Sequence, residues 1–277
     1  MNIRYIVEEE NILVKDYLEL KGLSKKLRRK ARVQDAIYIN GVLSKNYYVL
    51  HKGDCLELNF KETLNEEIVS NNQELDIKYE DEYLMIFNKP RGISSQPSKK
   101  HITDNIISAG KNYFLNNNIS TNIHLVNRLD FNTSGLMIIA KDGVTHFKFS
   151  NVKIEKRYLC EIEGFINPEK GTIREKISRE PAPSILRFVS EDGKDSITHY
   201  EVLEKYENSE LVEVLLETGR THQIRVHFSY KGHPLLGDAL YGKDDQCLKL
   251  HCYKLVFNHP WLNKKIEIVS YPDWKRR

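Results

Sequence analysis

Two apolar runs limit the folds open to this chain more than any other feature. Leu136-Met-Ile-Ile-Ala140 and Tyr83-Leu-Met-Ile-Phe87 are unbroken and short, too short for an ordinary helix. Turn formers bound each one: Asn132-Thr-Ser-Gly135 precedes the first, and Pro90-Arg-Gly92 follows the second. Both read as buried strands. Other stretches alternate, as half-buried strands do. They are Leu75–Glu80, Tyr158/Cys160/Ile162 set against Leu159/Glu161, Val212/Val214/Leu216, and the tail segments 248–260 and 264–269. Helical spacing is rarer. Residues 103–115 put Ile106, Ile107 and Phe114 on one face behind Thr103 as a cap, and a second helix follows Thr221 as far as Tyr230, before Gly232. Many strands joined by short turns, with few helices between them, predict an α+β chain with a largely antiparallel mixed sheet.

The stretch His124-Leu-Val-Asn-Arg-Leu-Asp-Phe-Asn-Thr-Ser-Gly135 leads into one of these strands. Arg128 and Asp130 flank Leu129, so a carboxylate sits beside a cation on a loop anchored by a rigid strand, a good place for chemistry. On these residues alone, a turn or capping role for Asp130 is the commoner outcome. Asp130, Asn132, Ser134 and Gly135 imitate the opening of a calcium-binding loop. Its twelfth position, which must supply a bidentate carboxylate, is Lys141. The glycines and lysine of a phosphate-cradling loop are absent too. His222 and His227 lie five apart, about 140° around a helix, with no glutamate between them, which excludes a helical zinc pair.

With 277 residues, 40% of them hydrophobic, the chain can bury full cores and divides into two domains. A formal charge of +3 permits a nucleic-acid partner without requiring one. Cys55, Cys160, Cys247 and Cys252 form no C-x-x-C pair. With no signal peptide and no apolar run near about eighteen residues, they predict a reduced, cytoplasmic protein.

The first sixty residues read as a unit of their own. Residues 12–23 carry a helical apolar face, and Ser24 caps a second helix, Lys25-Lys-Leu-Arg-Arg-Lys-Ala-Arg32, dense in positive charge. Strands around an Asn40-Gly41 turn follow, then a Lys52-Gly-Asp54 turn and the strand Cys55–Phe60. A solvated face is the plain reading of such a charge block. Residues 61–74 are polar and acidic, and read as a linker with freedom of its own.

Arg128-Leu-Asp-Phe-Asn-Thr-Ser-Gly135 resembles the signature of the RluA family of RNA pseudouridine synthases, His-Arg-Leu-Asp-x-x-Thr-Ser-Gly, with Asn127 in place of the family's His. Three further motifs match that family over roughly residues 75–270. They are Asn88-Lys-Pro-Arg-Gly92, Lys156-Arg-Tyr158 ahead of a strand ending in Gly164, and Thr218-Gly-Arg-Thr-His-Gln-Ile-Arg-Val-His227 with Gly232-His-Pro-Leu-Leu-Gly-Asp238 and Tyr241-Gly242 after it. The N-terminal order resembles the αL RNA-binding domain first seen in a ribosomal small-subunit protein. The resemblance implies an αL domain over 1–62, a linker over 63–74 and a catalytic domain over 75–277. It makes Asp130 the catalytic carboxylate, with Tyr158 beside it and Arg225 paired to it.

Arg128, Lys89, Arg220 and His222 then serve RNA at the cleft, Arg128 by filling the gap left by a flipped base or by gripping phosphate. Lys25, Lys26, Arg28, Arg29 and Arg32 hold the RNA backbone. The implied reaction isomerises a uridine in large-subunit rRNA or a tRNA stem-loop. The base leaves by its nitrogen, turns over and rejoins through carbon 5, with no redox change, so no cofactor or metal is expected. Tyr158 is expected to stack on the base and take the carbon 5 proton. The expected partner is RNA and the expected state a monomer. Two other readings are a non-catalytic RNA-binding or ribosome-assembly factor on the same fold, which intact Asp130, Tyr158 and Arg225 oppose, and a hydrolase, which lacks a second acid near Asp130.

Overall fold

The computed structural model describes residues 2–61, 65–243 and 247–275. The N-terminal part runs β1 (Asn2–Ile6), β2 (Ile12–Leu13), α1 (Val14–Leu20), α2 (Lys25–Val33), β3 (Ile37–Ile39), β4 (Val42–Leu43), β5 (Val49–Leu50) and β6 (Cys55–Asn59). Four of these strands form a sheet in the order β1-β6-β3-β4, while β2 pairs with β5. Strand β1 has no counterpart in the sequence reading, and two residues expected to open α1 are strand β2. As expected, Ser24 caps α2, its hydroxyl accepting from the Leu27 amide at 3.3 Å. Asn40 and Gly41 turn the chain between β3 and β4 at φ 49° and 82°, which needs residues tolerant of left-handed backbone. Tyr17, Leu18, Ala31, Leu56 and Leu58 fill a small core.

The larger part continues with β7 (Asp76–Glu80), β8 (Leu84–Lys89), α3 (Ile106–Asn116), β9 (His124–Leu125), β10 (Ser134–Ala140), α4 (Gly143–Phe149), β11 (Glu155–Glu163), β12 (Lys170–Ile173), β13 (Ile177–Arg179), β14 (Arg187–Val189), β15 (Thr198–Lys205), β16 (Ser209–Leu216), α5 (Gln223–Tyr230), β17 (Leu250–Asn258) and β18 (Lys265–Val269). Ten strands make one sheet, in the order β12-β15-β16-β11-β17-β10-β8-β7, with β18 added on β17 and β9 on β10. The fold is α+β with a mostly antiparallel sheet. Both apolar runs lie in it as β8 and β10, fully buried from Leu84 to Phe87 and from Leu136 to Ala140.

The pair β10 and β17 runs parallel, matching Ser134 to His251 and Gly135 to Cys252. A Cβ on Gly135 would stand 2.4 Å from the backbone nitrogen and oxygen of Cys252, and φ is 117°. Only glycine fits there. Ser134 shares a hydrogen bond with His251 Nδ1 at 2.8 Å, and His251 Nε2 reaches Ser270 O at 2.9 Å. Burial draws His251 down to about 4, against the Ser270 bond and Asp273, so it is a neutral core residue.

Local structure departs from the sequence reading at three places. The cap of α3 is Asn105, which accepts from the Ser108 amide at 3.0 Å, so the helix begins three residues after Thr103. The segment around His146 is the helix α4, because Asp142 accepts from the Val144 and Thr145 amides, both at 2.7 Å. The polar stretch after residue 64 has partners along α3 instead of freedom. Lys111 Nζ donates to Asn65 O and Ile68 O at 2.9 and 2.6 Å, and the Asn71 amide donates to Ser108 O at 3.2 Å. The domain boundary expected at 62/63 lies outside the described residues.

The two parts also share a seam. Val144 belongs to the N-terminal core, and Phe147 and Trp261 pack against it. Trp261 stacks on Tyr83 with centroids 5.0 Å apart, and its indole nitrogen donates to Thr145 Oγ1 at 3.0 Å.

Candidate active site

The loop before β10 is held from three sides. Asn127 extends the sheet by one rung, accepting from the Ile138 amide at 2.8 Å and donating to Leu136 O at 3.3 Å. The Ser95 hydroxyl donates to Leu129 O at 2.7 Å and accepts from Leu129 N at 3.3 Å. Leu129 is buried in the core. With Leu129 turned inward, Arg128 and Asp130 on either side of it border the cleft. Lys89 lies beneath, fully buried, donating to Pro90 O, Ile93 O and Phe131 O at 2.8, 3.0 and 3.2 Å. Burial pulls Lys89 down to about 7, with Asp130 working in the opposite direction. All three donors are committed to carbonyls, so the expected contact of Lys89 with RNA is corrected. Lys89 braces the loop from below.

The cleft has a volume of about 440 Å³ and is lined by Asp130, Arg128, Tyr158, His222 and Arg225 among others. These residues come from three distant stretches. Tyr158 enters from β11, directly across from Cys252 on β17. Burial, first of all, raises its phenol well above the ordinary value, with Cys252 and Asp130 adding to the effect.

Arg225 enters from α5, but the expected ion pair with Asp130 is not its contact. Its Nε and Nη2 donate to Asp238 Oδ2 and Oδ1 at 2.8 and 2.6 Å, a two-pronged pair that is almost wholly buried. The reason lies in the turn after α5: Asp238 is fully buried and also accepts from the Leu240 amide at 3.0 Å, so the guanidinium is its charge partner. Arg225 is raised by that hydrogen bond and charge against the effect of burial, and Asp130 adds a further increment, so the arginine's field still reaches the loop carboxylate.

His222 approaches Asp130 more closely, with Nε2 4.0 Å from Oδ2. It stands just before α5 at φ 58°, a left-handed conformation that a non-glycine residue seldom adopts. Thr221 was expected to cap this helix, but the cap position is His222 and no side chain bonds there. The next residue explains the tight entry. Gln223 Oε1 accepts from the Arg220 amide at 2.9 Å and Thr218 Oγ1 at 3.0 Å, while its Nε2 donates to Ile197 O and Thr198 Oγ1, both at 3.0 Å. That clamp fixes the 218–220 turn. His227 is bonded to Thr198 Oγ1 and Glu175 O, each at 2.9 Å, and faces away from the cleft.

Arg128 and Arg220 are exposed at the cleft, touching Gln96 Oε1 at 3.3 Å and Asp195 O at 3.1 Å. On α2, Lys25, Lys26, Arg29 and Arg32 are exposed, whereas Arg28 is ion-paired to Glu19 of α1 and half-buried. The expected RNA contact of Arg28 is therefore replaced by an internal one. Sequence reasoning missed Lys156 and Thr133, which line the cleft, and Arg187, whose charge reaches His222. The Thr133 hydroxyl is buried with no partner among the described residues. Asp238 and Tyr241 stood within a recognisable motif, yet nothing in their spacing from Arg225 and His222 marks them as partners.

Comparison with known proteins bears on what this arrangement does. Residues 83–230 match the RNA pseudouridylate synthase family model. The Uncharacterized RNA pseudouridine synthase YjbO of Bacillus subtilis is 37% identical over 256 residues, covering 89% of this chain and 90% of that one. The chain belongs to the RNA pseudouridylate synthase family. An Uncharacterized RNA pseudouridine synthase of Aquifex aeolicus is 32% identical over 265 residues, covering 86% of this chain and 84% of the relative. Human RNA Pseudouridylate Synthase Domain Containing 1 shares the fold, with a TM-score of 0.60 and 24% identity over 74% of this chain and 86% of that one. The synthase is an enzyme that isomerises uridine in RNA. Among its described residues, no helix is long and apolar enough to cross a membrane.

Proposed function

We propose that the synthase is of the RluA type, converts uridines of structured large-subunit rRNA, and uses Asp130 as its reacting carboxylate. The observation that carries this reading is convergence: Asp130, Tyr158 and Arg225, far apart in sequence, line one cleft. A uridine inside a helix cannot reach such a cleft, so the target base must be flipped out or lie in a loop. Asp130 attacks C1′ or takes the C2′ proton as the bond between C1′ and N1 breaks, and that bond's electron pair leaves with the ring. The Asp130–C1′ bond breaks, or the proton returns to C2′, as carbon 5 bonds to C1′. The ring turns over, carbon 5 supplies the pair for the new bond to C1′, the carbon 5 proton departs, and N1 gains one.

Tyr158 serves as the face on which the base stacks. The proton-acceptor role expected for it conflicts with a buried phenol raised well above its ordinary value. The carbon 5 proton is assigned to the Asp130 carboxylate, which borders the cleft. Arg225, held by Asp238, supplies positive field behind the site.

The N-terminal part resembles an αL domain, and its exposed Lys25, Lys26, Arg29 and Arg32 fit a backbone-holding role on a large RNA. Asp130→Asn preserves shape and removes the charge. RNA binding should survive while tritium release from carbon 5 of labelled uridine disappears; turnover near the wild-type rate would remove Asp130 from the chemistry. Mapping pseudouridines in RNA from cells with and without the gene tests the substrate, and lost sites confined to tRNA would overturn the rRNA assignment.

A further inference from the structure

Among the described residues, the hydroxyl of Tyr241 has two hydrogen-bond neighbours. It accepts from the Arg187 amide at 2.9 Å, and His222 Nδ1 lies 2.8 Å away. A phenol carries one proton; the Arg187 amide donates inward and His222 Nδ1 is the one acceptor within reach among the described residues, so we assign that proton to His222 Nδ1. The imidazole is then a neutral ring with its hydrogen on Nε2. That nitrogen is the one facing Asp130, 4.0 Å from Oδ2, too far for a direct hydrogen bond. The ring's side chain is 10% exposed, so what exposure it has is toward the cleft it lines.

Tyr241 itself is fixed by the Arg225 guanidinium, 5.1 Å from its ring centroid, and meets His222 edge to face with centroids 5.5 Å apart. The charged groups acting on His222 are Asp130, Arg225, Arg187 and Asp238. Burial lowers its affinity for a second proton, with the two arginines adding to that and the two carboxylates opposing. The backbone at φ 58° is a sparsely populated setting for this residue type, held in place by the Gln223 clamp. Strained residues of this kind persist where the surroundings over-determine them.

We propose that His222 is a catalytic hydrogen-bond donor: Tyr241 fixes its tautomer so that the Nε2 hydrogen points at the reacting base and stabilises the uracil ring once it has left the sugar. The inference rests on the proposed reading of Asp130. When the C1′–N1 bond breaks, its electron pair stays on the ring, and the negative charge spreads from N1 to the two carbonyl oxygens. A prealigned N–H beside Asp130 meets one of those oxygens at the moment charge develops there. It gives a hydrogen bond and transfers no proton, so the ring keeps its charge until carbon 5 attacks C1′. Tyr241 is a positioning residue, because it acts through His222.

Three observations test this. In the free enzyme at pH 7, nitrogen-15 spectra of the imidazole should show His222 with a bare Nδ1 and a protonated Nε2. A hydrogen on Nδ1, or on both nitrogens, would overturn the proposal. In Tyr241→Phe the same spectra should show a mixture of tautomers, and an unchanged tautomer would remove Tyr241 from its role.

The kinetic arm compares two amides. The amide nitrogen of glutamine reaches the place of Nε2, whereas that of asparagine reaches only the place of Nδ1. His222→Asn suits the left-handed backbone and should lower kcat by roughly 10²–10³-fold, the range for losing one such donor, a loss far larger than any change in KM. His222→Gln should recover turnover to within roughly tenfold of wild type. Equal loss in both variants, or no loss in His222→Asn, contradicts the proposal. Asp130→Asn, assayed alongside, separates the two readings: an active Asp130→Asn enzyme sinks the site itself, while an inactive one beside an unaffected His222→Asn enzyme sinks only the role of His222.

Discussion

Arg225 lines the cleft as expected, but its charge partner is Asp238 and not Asp130. The motif marks the position, but Asp238, thirteen residues on and closed back by the turn after α5, takes both prongs of the guanidinium. Breaking a buried pair from one side leaves a stranded charge, which costs about 3–5 kcal/mol. Arg225→Met should therefore destabilise the fold by about that amount and also lower turnover. Adding Asp238→Leu should restore much of the stability without restoring activity, because the positive field behind Asp130 is still missing. Urea unfolding and tritium release on the three proteins measure this, and a single variant as stable as wild type would rule out the stranded-charge account. Lys89 teaches the same lesson from the opposite side. The family motif made it look like an RNA contact, but burial beneath the loop, which no local pattern announces, makes it a brace. Asn127, which stands where the family has His, has both ends of its amide on β10. It lines the cleft beside Arg128 while its amide holds the base of the loop.

Among the elements, β17 does the most to hold the site, since it lies between β11, which carries Tyr158, and β10, which carries the Asp130 loop. His251 on β17 is the neutral pin, bonded to Ser134 on one side and Ser270 O on the other. Its folded-state value of about 4 lies below the ordinary 6.5, so the unfolded chain takes the proton first as pH falls. The stabilisation is complete above pH 6.5 and drains away toward pH 4, by about 3 kcal/mol in all. In His251→Gln the slope of unfolding free energy between those pH values should flatten by about that amount; an unchanged slope would mean that other groups carry it.

Strands and helices such as β8, β10 and α5 were legible in the sequence because an unbroken apolar run or a turn followed by helical spacing speaks for itself. The parallel register of β10 on β17 was not, since 117 residues separate Ser134 from His251. Helix starts at Asn105 and His222 were missed because a cap depends on one backbone conformation that neighbouring Thr103 and Thr221 imitate in composition alone. The site's carboxylate was legible from its motif; its immediate neighbour His222 was legible as a residue but not as a donor, since only the fold supplies Tyr241.

On the scale of the molecule, the basic helix α2 and the cleft belong to two cores that meet through Val144, Phe147 and Trp261. Removing residues 1–62 uncovers that seam, so the remainder should fold but melt at a lower temperature than the whole chain. Loss of Lys25, Lys26, Arg29 and Arg32 should flatten the salt dependence of RNA binding by roughly three in the logarithmic slope, near 0.7–0.9 for each phosphate contact given up. Turnover at saturation on a short stem-loop holding the right uridine should change little, while efficiency on the full natural RNA should fall. If truncation moves modification to other uridines, α2 selects the site and does more than hold it.

The pairing of Gly135 with Cys252 has one more consequence, and it concerns time. A ribosome makes the basic helix α2 before the Asp130 loop, and the strand that closes that loop follows 117 residues after Ser134. A growing chain can grasp RNA long before it can alter it. Chains stalled at residue 240, then released from the ribosome, should bind RNA in a salt-sensitive manner and liberate no tritium. Tritium release from such chains would show that the cleft closes without its last strands.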